Sequence, residues 1–230
     1  VKWVDASYET TGGQRVIRIF PTAEQLSEAF ATDPEDILIE AQDIGDAVKM
    51  DLPAAPLLNA VKLRQDARLE WSVNGNGLRI PLHVLQGVSD EETVTFMIAA
   101  TAGFAGVDWN DPITRVEGEL LLPHPVVYTL QAKHGDSIDW PLTNALLTAH
   151  LPEPANPYQA TAVRIDENGR IRFAPSIFSN NGLVTIRSPY GGAYAVIETD
   201  HSFADVNGHW AQEDIVLMAN KLLVEGRGQD

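Results

Sequence analysis

The first eighty residues carry an internal echo, and that echo limits the possible folds more than any other feature of the chain. Pro21-Thr22-Ala23 opens an amphipathic stretch with Leu26, Ala29 and Phe30; Pro53-Ala54-Ala55 opens another with Leu57, Leu58 and Val61. Both prolines suit the first turn of a helix, where a missing N–H costs nothing. After each predicted helix, apolar residues fall at every second position: Ile37 and Ile39 in one copy, Leu69, Trp71 and Val73 in the other. Such alternation marks a half-buried strand. A further strand follows in each copy, Val48, Met50 and Leu52 matching Leu78, Ile80 and Leu82, and Val16-Ile17-Arg18-Ile19-Phe20 precedes them all. This order predicts an α+β part over residues 1–90, with two short helices covering one face of a sheet.

From about residue 93 only strands are predicted. Val94, Phe96 and Ile98 alternate with polar or small neighbours, as do Val126, Tyr128 and Leu130. Asp166-Glu167-Asn168-Gly169 separates Val163 and Ile165 from Ile171 and Phe173. Asn-Gly between alternating runs predicts a hairpin, because both central residues accept positive φ. Gly191-Gly192, between Val184/Ile186 and Tyr194/Val196, predicts a second one. Residues 91–200 are therefore expected to form a mostly antiparallel, β-sandwich-like part. Within it, Pro152, Pro154 and Pro157 mark an extended crossing between sheets.

Charge and composition exclude several functions. Thirty-two acidic residues stand against 16 basic ones in the 230-residue chain, a formal charge of −16 with no Lys/Arg run, so nucleic acid is not an expected partner. Holding an anionic polymer would take a local cationic pocket. Cysteine is absent, which removes disulfides and thiolate chemistry. No run approaches the roughly 18 apolar residues of a membrane-spanning helix. With no charged leader ahead of an apolar segment at Val1, the chain is expected to be a mature segment or a piece of a longer protein.

No catalytic residue is expected. The chain has no Gly-x-Ser-x-Gly elbow, His-Glu-x-x-His or phosphate-cradling glycine loop. Gly135-Asp136-Ser137-Ile138 is similar to the nucleophile block of GDS-type esterases, but it lies between strand-like runs with no downstream Asp-x-x-His, the setting of a turn. Asp108-Trp109-Asn110-Asp111 gathers oxygen donors of the kind calcium takes. Without calcium-loop spacing it reads first as a solvated turn, with Asp108 and Asp111 the candidate calcium ligands and no other cofactor expected. Glu117 and Glu119, two apart, would share one face of a strand.

At the C-terminal end stands Phe203-Ala204-Asp205-Val206-Asn207-Gly208-His209-Trp210-Ala211, then a helical pattern with Ile215, Met218, Ala219 and Leu222 on one face and Gly226 as its stop. Over about 28 residues this closely resembles the opening of an S-layer homology (SLH) repeat: a phenylalanine, an Asp-Val pair, a His-Trp-Ala triplet and a helix ending near a glycine. More loosely, Leu121-Leu122-Pro123-His124-Pro125-Val126, Ala160-Thr161-Ala162-Val163-Arg164 and Tyr194-Ala195-Val196-Ile197 resemble the stalk modules that precede SLH repeats in surface proteins of Gram-positive bacteria.

The resemblance implies that residues 201–230 are the truncated start of one repeat. It also implies that Asp205, His209 and Trp210 occupy motif positions of a polymer-binding domain. A complete SLH domain usually has three repeats and binds secondary cell-wall polymer; the second helix and its Thr-Arg-Ala-Glu segment would come after Asp230. The implied protein is a non-enzymatic, extracellular stalk of the cell wall or S-layer that binds polymer only through a complete anchor. Phe203, Trp210 and Ile215 are expected in the core, as large apolar side chains usually are. The lone helix is expected to dock on the β part or on a neighbouring molecule, since a dozen helical residues are marginal alone. The competing expectation is a carbohydrate-binding or glycan-hydrolysing surface module, suggested by five Trp and five Tyr. It calls for exposed rings in a row or two acids about 5–10 Å apart.

Overall fold

The computed structural model describes residues 6–11, 13–33, 36–41, 46–73, 75–99, 110–132, 145–166, 168–188 and 190–226. The chain begins with β1 (Ala6–Thr11), β2 (Gln14–Ile19), α1 (Ala23–Thr32), β3 (Asp36–Ala41), β4 (Ala47–Pro53), α2 (Ala54–Leu63), β5 (Arg68–Val73) and β6 (Asn76–Pro81). A 3-10 turn (Leu82–Leu85), β7 (Thr93–Ala99), α3 (Asn110–Arg115), β8 (Glu119–Leu120), β9 (Val126–Ala132) and β10 (Leu146–His150) follow. Then come β11 (Ala160–Ile165), β12 (Ile171–Ala174), β13 (Ser176–Phe178), β14 (Leu183–Arg187), β15 (Gly192–Glu198), a 3-10 turn (Ala204–Val206) and α4 (Gln212–Asn220). The class is α+β with mostly antiparallel strands, as expected.

The strands form two sheets. One has the order β1-β2-β4-β7-β9-β15-β11-β12, with β8 also on β15; the other runs β13-β14-β10-β6-β5-β3. Their facing sides share one core. Val48, Met50, Phe96, Tyr128 and Val196 of the first sheet meet Ile39, Trp71, Ile80, Leu147 and Ile186 of the second. The Tyr128 hydroxyl donates to the Thr148 carbonyl at 2.7 Å, so a side chain from the first sheet satisfies itself on the backbone of the second. Its ring meets Tyr194 edge-on at 5.9 Å. A buried phenol without such a partner would cost about 1–3 kcal/mol.

The echo in the sequence is a structural repeat of a different unit. β2 pairs in parallel with β4, Ile17 opposite Val48 and Ile19 opposite Met50, while β3 pairs in parallel with β5, Ile37 opposite Leu69 and Ile39 opposite Trp71. Each copy is thus strand, helix, strand, with its first strand in one sheet and its last in the other, and α1 and α2 pack on each other. The helices do not cover the face of a single sheet as expected. They carry the chain between sheets and lend Leu26, Phe30, Leu57 and Ala60 to the shared core. The predicted match of Val48/Met50/Leu52 with Leu78/Ile80/Leu82 does not hold, because β4 opens the second copy while β6 continues the second sheet beyond it.

Both helix starts differ in detail from the expectation. Thr22 is the N-cap of α1 and forms a capping box with Gln25: the Gln25 N–H donates to the Thr22 hydroxyl at 3.2 Å, and the Thr22 N–H donates to Gln25 Oε1 at 2.8 Å. Pro21 therefore stands outside the helix. Pro53 takes the cap position of α2 without a side-chain bond, and the Ala54 N–H finds the Glu92 carbonyl at 3.0 Å.

Strands from both sides of residue 90 interleave: β4 pairs with β7, and β6 with β10. Residues 6–90 and 91–200 accordingly share both sheets and one core. The Asn168-Gly169 hairpin joins β11 and β12 as predicted, with Gly169 at φ +72°. Gly191-Gly192 does not make a hairpin. It leads from β14 in the second sheet to β15 in the first, whereas the proline-bearing stretch crosses from β10 to β11 as expected. Alternating apolar residues on both sides of a glycine pair fit a sheet-to-sheet crossing as well as a hairpin, and only the inter-strand hydrogen bonds distinguish them.

The centre of the first sheet is buried on both faces. Val163, Ile165, Ala193, Ala195 and Ile197 form a second core with Ile113 of α3, against which Val116, Leu120 and Leu222 pack. β15 consequently reads Gly-Ala-Tyr-Ala-Val-Ile-Glu, with five consecutive buried residues in place of strict alternation. This outer core is the surface on which the C-terminal segment sits.

Candidate functional site at the C-terminal junction

After β15 the chain turns through Ala204–Val206 and Gly208, at φ +78°, into α4. The Gly208 N–H donates to Gln212 Oε1 at 2.8 Å, and the His209 Nδ1 accepts from the Ala211 N–H at 3.2 Å, so local hydrogen bonds shape the helix entry. α4 ends in a Schellman motif. The Leu223 N–H donates to the Met218 carbonyl at 2.9 Å and the Leu222 N–H to the Ala219 carbonyl at 2.8 Å. Leu222 takes the left-handed position usually given to glycine, at φ +55°. That conformation costs roughly 1 kcal/mol for a side-chain-bearing residue, and Leu222 offsets it by packing on the second core. Leu222 thus takes the stop position four residues before Gly226, the expected stop.

Gly226 has another role. A Cβ built on it would lie 2.8 Å from Phe203 Cε1, so the tail runs tight against the phenylalanine that opens the motif. Beneath them lies a small cavity of about 230 Å³, bordered by Arg115, Glu117, His201, Phe203 and Leu222.

The last turn of α4 is fastened to the sandwich by polar groups. Asn220 is buried; its Oδ1 accepts from the His201 N–H at 2.9 Å and from the Thr199 hydroxyl at 3.3 Å, and its Nδ2 donates to the Tyr158 carbonyl at 3.3 Å. The Lys221 ammonium donates to the carbonyls of Pro157, at 2.6 Å, and Ala160. It also stands 5.3 Å from the Phe178 ring. Partial burial pushes the lysine below its ordinary pKa. The helix therefore docks on the β part, as expected, chiefly through its C-terminal turn: of the predicted face Ala219 is buried, Ile215 and Leu222 are half-buried and Met218 is exposed.

The motif residues lie on the other side of this junction. Trp210 is 88% exposed, which corrects the expectation that it is core; Phe203 and Ile215 are half-buried. The Trp210 ring leans on His209, centroids 5.4 Å apart. Asp205, exposed on the preceding turn, takes no part in that contact. The structure brings together His209 and Trp210 of the three; Met218, Leu223 and Val224 are exposed as well. The physical reason is that a single helix has two sides. The side carrying Ala219 and Asn220 meets the sandwich, Glu213, Asp214 and Met218 face solvent, and Trp210 stands before the first turn.

Asp108 and the Gly135–Ile138 block lie outside the described residues. Asp111 falls within α3, not in a turn, and its side chain is likewise outside the description. Among the described residues no group of three or more His, Cys, Asp or Glu side chains gathers to hold a metal. Glu117 and Glu119 do not share a strand face: Glu117 sits in the turn before β8 at φ +54°, while Glu119 stands in β8 directly opposite Glu198 of β15. Sequence reasoning missed Thr199, Asn220 and Lys221. Asn220-Lys221 reads as ordinary helix surface, and no local signal says that the crossing at 156–160 will meet it.

No family model matches the chain, and no curated protein matches it. Fold and junction define a class in structural terms: a two-sheet α+β sandwich whose last helix is fastened to the body at its C-terminal end. Among the described residues no helix is long and apolar enough to cross a membrane.

Proposed function

We propose that this chain is a non-enzymatic structural module of an S-layer or cell-wall-associated surface protein, extracellular, linking outer domains to an SLH anchor. Its partner is secondary cell-wall polymer, bound by a complete SLH domain and not by this segment alone. The observation that carries the reading is the C-terminal segment: a helix entered through the His-Trp-Ala triplet and fastened to the body at Asn220 and Lys221, with Trp210 before it, Met218 within it and Leu223 and Val224 after it exposed to solvent. Exposed apolar surface of this kind is a place for a further element to pack. The body beneath it suits a mechanical role, since two sheets around one core resist pulling through cross-strand pairing.

The glycan-module reading has less to support it. Among the described residues Trp71 is in the core, and the exposed rings of Tyr8, Phe20, Tyr158, Tyr190 and Trp210 come from five separate segments of the chain.

Two measurements test the proposal. Reading the coding sequence beyond the Asp230 codon should give a second helix with a Thr-Arg-Ala-Glu segment, and a stop codon there would overturn the proposal. The protein carrying those residues should pellet with isolated cell walls and stay in the supernatant once the secondary polymer is extracted; equal pelleting in both cases would count against it.

A further inference from the structure

Asn-Gly pairs stand at Asn74, Asn76, Asn168, Asn181 and Asn207. Such a pair carries its own chemistry: with no side chain on the glycine to bar the approach, the glycine nitrogen can attack the side-chain carbonyl carbon of the asparagine. In a folded chain the reaction is governed by how firmly the glycine N–H and its peptide are held. Asn74 lies outside the described residues, and the other four are held very differently.

Three of them are locked. Asn76 is half-buried in β6, where Gly77 lies between Ser72 of β5 and Thr148 of β10, and a Cβ on the glycine would collide with the Thr148 hydroxyl. At Asn168 the Gly169 N–H donates to the Asp166 carbonyl at 2.9 Å, and the Asp166 carboxylate accepts the flanking N–H groups of Asn168 and Arg170, each at 2.9 Å. At Asn181 the Gly182 N–H donates to the Ser179 carbonyl at 3.1 Å and the Gly182 carbonyl accepts from the Leu151 N–H at 2.9 Å. The Asn181 side chain is engaged as well, its Oδ1 accepting from the Leu183 N–H at 3.2 Å.

Asn207 is held far less. It and Gly208 are exposed, and beyond the chain neighbours no described atom comes within 4 Å of a Cβ built on the glycine. Among the described residues nothing hydrogen-bonds to the Asn207 side chain. The pair forms the centre of a type II turn, with Asn207 at φ −63° and ψ 123° and Gly208 at φ +78°, closed by the His209 N–H on the Val206 carbonyl at 2.9 Å. The central peptide of such a turn can turn over while the residues on either side stay in place, and rotation of that peptide is what brings the Gly208 nitrogen to Asn207 Cγ. The bond opposing it, from the Gly208 N–H to Gln212 Oε1 at 2.8 Å, ends on a side chain and is itself exposed.

We infer that Asn207-Gly208 is a site of spontaneous, one-way modification that alters the entry of the C-terminal helix, with water as the co-reactant. The Gly208 nitrogen gives its proton to solvent base and bonds to Asn207 Cγ; the Cγ–Nδ2 bond breaks, and the side-chain nitrogen takes up a proton and leaves as ammonia. Water then opens the cyclic imide. Opening at Cγ leaves an aspartate, and opening at the main-chain carbonyl leaves an isoaspartate whose backbone runs through Cγ. Both products add a negative charge to a stretch that already holds Asp205, Glu213 and Asp214, and the isoaspartate also lengthens the backbone ahead of α4 by a methylene. Because Asn220 and Lys221 fasten the far end of the helix, the change is confined to its entry, where His209 and Trp210 stand. The inference rests on backbone chemistry and is independent of what the junction binds.

Peptide mapping by mass spectrometry follows the reaction in the chain incubated in mildly alkaline buffer. In the folded protein, amide-to-acid conversion at Asn207 should run about tenfold or more faster than at Asn76, Asn168 and Asn181, whose backbones are held by bonds that must first break. In urea all four should convert at similar rates. Gln212→Ala should speed the folded reaction at Asn207 roughly two- to tenfold, the change expected on losing one hydrogen bond. The modified chain, separated by ion exchange, should differ from the parent in the amide NMR shifts of residues 204–212 and match it at 219–221. Equal rates at the four positions in the folded protein, a rate at Asn207 not raised by Gln212→Ala, or shifts that spread to Asn220 and Lys221 would overturn the inference.

Discussion

Thr199, just past β15, and Asn220, at the last turn of α4, are both buried and joined twice: the Thr199 hydroxyl lies 3.2 Å from the Asn220 carbonyl oxygen and 3.3 Å from its Oδ1. Polar groups hidden from water hold only when satisfied, so this pair fixes the helix in one place. Substituting Asn220 by Leu should leave the His201 N–H and the Tyr158 carbonyl without that partner and cost about 1–3 kcal/mol. Hydrogen exchange should show α4 losing protection while β11 and β15 keep theirs. Uniform loss across the sandwich would show that the junction is not a separate fastening.

The two described tryptophans predict opposite outcomes. Trp71 is fully buried between the sheets and Trp210 is 88% exposed. Trp71→Ala should cost about 3–5 kcal/mol, whereas Trp210→Ala should change the urea midpoint by no more than about 0.5 kcal/mol equivalent. A large loss from Trp210→Ala would mean that its ring is covered in solution.

Gly226→Ala should disturb the tail specifically, because the new methyl would lie 2.8 Å from the Phe203 ring. Overpacking of this kind costs about 1–3 kcal/mol. Phe203→Leu in the same chain should recover part of the loss, measured as a double-mutant cycle.

Glu119 and Glu198 face each other across β8 and β15. Like charges directly opposite on a sheet repel, so Glu119→Lys should stabilise by about 0.2–1 kcal/mol. The gain should shrink in high salt and in a Glu198→Gln background.

Acid should weaken the fold through carboxylates that hydrogen bonds hold in their charged form. Arg64 keeps Asp66 below its ordinary 3.8, and the backbone N–H groups of Arg170 and Asn168 do the same for Asp166. A carboxyl with a lowered folded pKa contributes its stability above the unfolded value and loses it as pH falls through the folded one. The denaturation midpoint should therefore fall below about pH 4, with less of a fall in Asp166→Asn. Side-chain carbon titrations should place both carboxyls below 3.8.

Local pattern alone located most of the elements. Alternation at Ile37/Ile39, Val48/Met50 and Leu69/Trp71 marks β3, β4 and β5; the turn chemistry of Asn168-Gly169 marks its hairpin; and the spacing of Leu26 with Phe30 marks α1. Thr22-x-x-Gln25 even spells out the capping box that places Pro21 one step before the N-cap. These are decisions between neighbours in sequence, settled by backbone sterics and by which side chains share a face.

Which sheet each strand joined was decided only by the tertiary structure. The same alternation puts β14 and β15 in different sheets although a glycine pair joins them, and it makes β4 a partner of β2 instead of a counterpart of β6. The junction followed the same rule: the sequence supplied an amphipathic helix with a tryptophan at its entry, but whether Trp210 or Asn220 would face the body depended on carbonyls at Tyr158, Pro157 and Ala160, some sixty residues earlier. Burial is a property of what arrives from elsewhere in the chain, so a residue's own neighbours in sequence cannot determine it.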